Sequence, residues 1–437
     1  MSLRRSAWGH RLAVSAVAVL CLAVVSTGCT AAGGSGGARI VVEQRRTGIS
    51  DPISISMVGF QPGQSVVLTA TARTDAGTYV SRAVFAVPPD GAVSLGTARP
   101  LLGDYAGPDA AGPLWSLSGP SQSQGQLESV WANGDVDVRL AALQNGREVA
   151  TASVHRDGFA ERVTARPVFA GDLIRTTDGG SPGGTTYDVR IGTFYDPDPV
   201  RAVRRPAVVV VDGDDGGGSA AFAAAQLAAA GYAAFALPAF GPAGQIPGSS
   251  ALAVESFDAA VRWLRLQPNV DGGRIFVYGT WRASQLALWL AVNSPGEVYG
   301  AVAASGTTAL LCTSAAGTPV ITAEGVAVPC EDPSRTIGST ALLRLDSIPG
   351  PVLLACGEDD ETLANACEWL RAGRSVRGER PGDVFLEARK AGHSVSTPPL
   401  IPVGLQELGP AKAQATEAAR RAFWNSVGDL LHRTTRS

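Results

Sequence analysis

The spacing of apolar residues changes once along this 437-residue chain, and that change limits what each part can fold into. From residue 39 to about residue 155 the apolar residues alternate in short runs, at 53–58, 66–74, 79–87, 136–143 and 148–155. A period of two turns one face of a strand inward, whereas helical periodicity is nearly absent here. Between the runs lie QPGQ, TDAG, PPDG and QNG, which are turn chemistry. Residues 39–165 therefore predict a β-sandwich of about seven strands. Only scattered acids are visible in this part, so it reads as a packing or recognition module.

After Arg166 short apolar strands alternate with alanine-rich helical stretches. TTYDVRIGTFYDP and the run 207–211 read as strands, and a helix over 219–230 stops at Gly231. YAAFAL follows as a buried strand, then an amphipathic helix over 254–266 that QPNVDGG closes. RIFVYG is the next strand and leads into a helix over 283–292. GAVAAS, GPVLLACG and VFLEAR are further strands, and a helix over 410–432 ends the pattern. Such alternation predicts, for residues 166–437, a mostly parallel sheet covered by helices.

At the start, Arg4, Arg5 and Arg11 precede an uncharged run over 12–25 and then Ser26, Thr27, Gly28 and Cys29. This is the plan of a signal peptide, here residues 1–28, and the run is short of the roughly 20 apolar residues of a spanning helix. AVVSTGC resembles a bacterial lipobox, which implies that Cys29 is lipidated, that 29–38 is a flexible tether, and that the chain is held at the extracytoplasmic face of the cell membrane. Two acyl chains suffice for stable anchoring. Without the three leader arginines, 33 basic groups face 39 acidic ones, so nucleic acid is not an expected partner. In an oxidising compartment Cys312, Cys330, Cys356 and Cys367 read as disulfides. Three pairings are available, and proximity favours Cys312 with Cys330 and Cys356 with Cys367. Their spacing does not suit zinc, and no metal or cofactor is implied.

Three places can carry chemistry: the turn after RIFVYG, the acidic turn GEDD and the histidine of AGHS. Each follows a predicted parallel strand, so the side chains converge at one sheet edge. In an α/β-hydrolase these positions hold nucleophile, acid and base in that order, with Asp360 as the acid and His393 as the base. With these residues in view, the chain resembles the acyl-CoA thioesterase and bile acid-CoA:amino acid N-acyltransferase family. GDYAGPDAAGPLWSL is similar to that family's Gly-x-Tyr-x-Gly-x-Asp-x-x-Gly-x-x-Trp-Ser segment. PISISMVGFQPGQSVVLTA, AVVVVDGDDGGG, GYAAFALPAFG and ESFDAAVRWLRLQPNVDGGRIFVYG follow in the family's order. The resemblance implies an immunoglobulin-like β-sandwich before an α/β-hydrolase domain, and thioester or ester hydrolysis or acyl transfer as the activity.

One departure stands out. The family's elbow reads Gly-x-Ser/Cys-x-Gly, whereas this chain has Gly279, Thr280, Trp281, Arg282 and Ala283. An indole has no group that attacks a carbonyl, and its bulk is expected to fill the space above the elbow. Thr280 and Ser284 are the hydroxyls nearby, but they are displaced by one and three positions. The oxyanion loop reads from Asp212 to Gly218, so that Gly213, Gly216 and Gly217 can offer backbone N–H groups while Asp212, Asp214 and Asp215 oppose a growing negative charge. The spacing of these acids lacks the glutamate of a calcium loop. The expectation is a degenerate member that binds an acyl-bearing small molecule, a cell-envelope lipid or a protein partner. The alternative is an active hydrolase or acyltransferase using a displaced hydroxyl.

Overall fold

The computed structural model of the protein describes residues 37–437 apart from 121–126, 129, 132–133, 159–162, 173–189, 198–202, 213–217, 239–250, 314–316, 405–407 and 437. The predicted signal peptide, Cys29, the tether up to residue 36, and Gly213, Asp214, Asp215, Gly216 and Gly217 lie outside the described residues.

The N-terminal part carries β1 (Arg39–Val42), β2 (Arg46–Gly48), β3 (Ile55–Val58), β4 (Ser65–Thr74), β5 (Gly77–Ala86), β6 (Val93–Ser94), β7 (Leu102–Gly103), β8 (Val136–Gln144) and β9 (Arg147–Asp157). They form two sheets, in the spatial orders β2-β9-β8-β4-β5-β7 and β1-β3-β6. Alternation decides the inner faces: Val66, Leu68, Ala70 and Ala72 of β4 and Tyr79, Ala83 and Phe85 of β5 are buried with Ile40, Val42, Ile55 and Met57 of the smaller sheet. A slip of one residue would turn every one of these outward, at roughly 1.5–3 kcal/mol for each large side chain. The same core takes in Phe222, Leu400, Ile401, Val403 and Ala413 from later in the chain.

The GDYAGPDAAGPLWSL segment makes the join between the two parts. Tyr105 packs on Trp115, and a Cβ at Gly112 would meet the Tyr105 ring at 2.3 Å, so only glycine fits between them. Trp115, in the short helix α1 (Gly112–Trp115), donates its indole N–H to Asp109. Asp109 also accepts from Arg421 of the C-terminal helix.

The larger sheet contains β10 (Thr164–Phe169), β11 (Arg190–Asp196), β12 (Arg205–Val211), β13 (Ala234–Leu237), β15 (Val270–Thr280), β16 (Gly300–Ala304), β19 (Val352–Gly357) and β20 (Val384–Ala388). Its order is β10-β11-β13-β12-β15-β16-β19-β20, parallel from β13 onward and antiparallel at the β10 edge. Because β10 begins at Thr164, the large sheet starts two residues before the expected change at Arg166. The runs Val208–Val211, Phe276–Tyr278 and Leu353–Ala355 are buried on both faces, which explains why they read as continuous apolar stretches. Helices α3 (Val254–Arg265), α4 (Arg282–Asn293) and α5 (Ala366–Arg377) pack on one face. On the other lie α2 (Gly218–Ala229) and α6 (Pro410–Arg436). A small sheet of β14 (Leu252–Ala253), β17 (Ile321–Ala323) and β18 (Val326–Ala327) stands beside α3.

Helix α6 carries buried charge into the contact between the two parts. Arg420 is fully buried, donating to the carbonyls of Ser394, Ile401 and Pro402, and burial pulls its pKa down to about 10 against the opposing pull of Glu417 and Glu128. Glu417 accepts from Leu400 N–H and from Arg421, and burial raises its pKa. Glu128 accepts from Thr397.

Candidate active site

Strand β15 reaches Thr280 and the chain turns at once into α4. The turn is so tight that a Cβ on Gly279 would meet the Ala283 carbonyl oxygen at 2.2 Å, which is why glycine stands there. Trp281 sits at the apex with φ 51° and ψ −120°, a backbone conformation that a side-chain-bearing residue rarely adopts and that costs of order 1–3 kcal/mol. Its N–H is held by the Ala304 carbonyl at 2.9 Å and its own carbonyl accepts from Ser284 N–H. The strained strand-to-helix elbow is therefore present, carrying an indole.

Beyond β19 the chain forms the acidic turn. Asp360 is buried, and its Oδ1 accepts from the backbone N–H groups of Thr362 and Leu363 at 2.8 and 2.7 Å. His393, in the loop after β20, places Nδ1 2.8 and 3.0 Å from the two Asp360 oxygens. An ionised carboxylate only accepts, so Nδ1 carries a proton and donates to Asp360. The histidine loop is fastened on several sides. Ser305 donates to the His393 carbonyl, Glu361 accepts from His393 N–H, and Thr416 of α6 accepts from Gly392 N–H. Lys412 pairs with Glu361 at 2.7 Å. Sequence reasoning missed Ser305, Glu361, Lys412 and Thr416, since nothing local marks a residue that supports a distant loop. The Cys356–Cys367 disulfide ties the end of β19 to α5, with Asp360 in the span between. Cys312–Cys330 closes the loop after β16, so both pairings follow proximity in sequence.

The rings of Trp281 and His393 meet with centroids 5.9 Å apart, and the Arg282 guanidinium lies 4.6 Å from the indole centroid. The indole stands over the elbow against the histidine. A pocket of about 180 Å³ remains beside it, lined by Trp281, Arg282, Gln285, Thr307, Leu311 and Leu363 among others. Ser284 is buried, and its Oγ has no hydrogen-bond partner. That oxygen abuts Gly306, where a Cβ would come within 1.7 Å of it. Thr280 closes β15 beside Ala304. Asp212, at the mouth of the oxyanion loop, is buried.

The N-terminal part corrects one expectation. It was read as having only scattered acids, but Asp135, Asp137, His155 and Asp157 converge at one end of β8 and β9. Asp137 and His155 are cross-strand partners, a relationship that depends on register and is invisible to local pattern.

A mostly parallel, doubly covered sheet, with an elbow after one strand and an Asp–His pair after two later ones, defines an α/β-hydrolase-type protein. Residues 50–169 match the model of the acyl-CoA thioester hydrolase/BAAT N-terminal region. Rat acyl-coenzyme A thioesterase 1 is 27% identical over 269 residues, covering 59% of this chain and 59% of that enzyme. Mouse mitochondrial acyl-coenzyme A thioesterase 2 is 27% identical over 270 residues, covering 59% of this chain and 55% of the enzyme. The matched stretch thus spans under two thirds of these relatives. Among solved structures, a dienelactone hydrolase-like promiscuous phosphotriesterase from metagenomic libraries overlaps with TM-score 0.37 and 22% identity, covering 62% of this chain and 98% of that one. A bacterial heroin esterase overlaps with TM-score 0.40 and 15% identity, over 63% and 86% of the two chains. The resemblance read from the motifs is borne out: residues 50–169 fit the acyl-CoA thioester hydrolase/BAAT N-terminal region, and the chain is similar to acyl-coenzyme A thioesterases over 59% of its length.

Proposed function

We propose that this protein is a catalytically degenerate member of its family that binds an acyl-bearing ligand in the pocket beside Trp281, on an immunoglobulin-like sandwich and α/β-hydrolase scaffold held at the extracytoplasmic membrane face by lipid on Cys29. The observation that carries the reading is Trp281 at the strained elbow, against His393: the indole stands where the family places a Ser or Cys, and it offers no attacking atom. Ser284 does not substitute, because its oxygen is turned into the packing against Gly306. The pocket beside the indole, with Leu311 and Leu363 in its wall and Arg282 at its edge, suits an apolar chain with a polar or anionic end. A surface location also separates the protein from cytosolic acyl-CoA, which favours binding over thioester turnover.

The test is hydrolysis of acyl-CoA and short acyl esters by the purified protein, beside its His393→Ala variant. Sites lacking a complete triad still accelerate hydrolysis by roughly 10³–10⁴ over water through binding contacts, so the expected rate is at or below that range and insensitive to His393→Ala. A rate well above it, abolished by His393→Ala, would overturn the reading in favour of a hydrolase or acyltransferase using Thr280 or Ser284.

A further inference from the structure

We propose that the pocket beside Trp281 takes a short alkyl carboxylate, with Gln285 and Arg282 of α4 reading the carboxylate and the apolar walls holding the tail. This rests on the acyl-binding reading above and names the form in which the acyl group is bound. Gln285 is 8% exposed and lines the pocket. Its Oε1 accepts from Leu311 N–H at 2.7 Å and from the Thr307 hydroxyl at 3.3 Å. A backbone N–H only donates, so the atom it meets is the amide oxygen, and the NH2 group is the end left over. That NH2 has no acceptor in the protein, and its two N–H bonds open on the pocket. A buried donor left without a partner is costly, and a ligand oxygen placed here removes the cost.

Arg282 stands three positions earlier at the start of α4, so the two side chains share one helix face. Its guanidinium lies on the Trp281 indole and makes no ion pair among the described residues. No Asp or Glu is among the described residues that line the pocket. The Thr307 hydroxyl is already given to the Ala309 carbonyl at 2.9 Å. The polar end of the site therefore presents donors and one positive charge, beside a helix N-terminus whose partial charge has the same sign. Two oxygens sharing a full negative charge satisfy such a set, whereas an ester or thioester carbonyl brings one acceptor and no charge. Leu311, Val320, Pro333 and Leu363 form the apolar walls. A cavity of about 150 Å³ admits benzene, so the volume of about 180 Å³ here holds a tail of about six carbons.

Ligand-observed NMR on the purified protein, with hexanoate and methyl hexanoate as probes, reads both binding and any ester cleavage. Hexanoate is expected to bind, and methyl hexanoate about tenfold more weakly or worse, the loss that goes with one charge-assisted hydrogen bond. Gln285→Glu keeps an oxygen for Leu311 N–H and replaces the free donors by a second acceptor, so it is expected to abolish hexanoate binding. Arg282→Gln, at an exposed position, is expected to weaken hexanoate about tenfold and to leave both the ester's affinity and the Tm unchanged. Equal affinity for the two probes, indifferent to both substitutions, overturns this inference and leaves an acyl pocket that does not read charge. Failure of both probes to bind overturns it together with the acyl-binding reading. Cleavage of methyl hexanoate that is lost in His393→Ala overturns the degenerate reading alone, and carboxylate recognition is then still decided by the effect of Gln285→Glu on hexanoate.

Discussion

His393 and Trp281 face each other with their ring planes at 86° and centroids 5.9 Å apart, while His393 Nδ1 is committed to Asp360. The dyad is therefore assembled, buried on its acid side and supported by Ser305, Glu361 and Thr416, and the group it addresses is an indole. In the degenerate reading proposed above, the dyad is a general base with no proton to take.

Restoring that proton should restore reactivity. Trp281→Ser with Ala283→Gly places a hydroxyl at the elbow, and labelling by a fluorophosphonate probe is expected in the double variant but not in the natural protein. Adding His393→Ala should reduce labelling by roughly 10²–10⁴, the usual contribution of a general base. Labelling of the natural protein, or labelling indifferent to His393, would show that the dyad is not aimed at the elbow.

The two disulfides close spans of 18 and 11 residues, and loops of that size are worth roughly 3 kcal/mol each in the chain-entropy account. Cys356→Ser with Cys367→Ser should lower unfolding free energy by about that amount in denaturant titrations. The same pair of changes loosens the turn bearing Asp360, so the double variant is also expected to lose the fluorophosphonate reactivity installed at the elbow.

Removing the Arg420 guanidinium takes away a buried positive charge felt by both Glu417 and Glu128 and leaves Glu417 with Arg421 alone. Arg420→Met should therefore destabilise the protein by about 3–5 kcal/mol, as broken buried ion pairs do, despite similar apolar bulk. Urea unfolding measures this, and a cost below roughly 1 kcal/mol would mean that the network contributes little to joining the two parts.

His155 makes stability depend on pH. The Asp137 hydrogen bond, with the charges of Asp137 and Asp157, raises its folded pKa, against the opposing effects of burial and of the Arg46 charge. A folded state that holds the proton more tightly gains stability that is full below the unfolded pKa and is lost as pH rises through the raised folded value. Thermal unfolding across that window should show the decline in the natural protein, and His155→Gln should remove this component.

Lipidation is testable by localisation. Cys29→Ala is expected to move the protein from the membrane fraction to the soluble fraction, because the apolar run at 12–25 is too short to span a bilayer. A Cys29→Ala protein that stays membrane-bound after removal of its leader would require another anchor.

What was legible in the sequence is what local periodicity encodes. Alternation placed β4 and β5, and the valine run marked β12 as a strand of a sheet covered by helices. Order along the chain also placed Asp360 and His393 at strand ends. Tertiary structure alone decided the rest. Ser284 turns toward Gly306, the indole leaves a pocket beside it, and Asp137 meets His155 because register brings residues far apart in sequence onto neighbouring strands. The physical reason is that a residue's inward or outward face follows from its own few neighbours in sequence. Which distant side chain it meets depends on strand register, loop closure and the filling of space around it, and these are settled only when the whole chain packs.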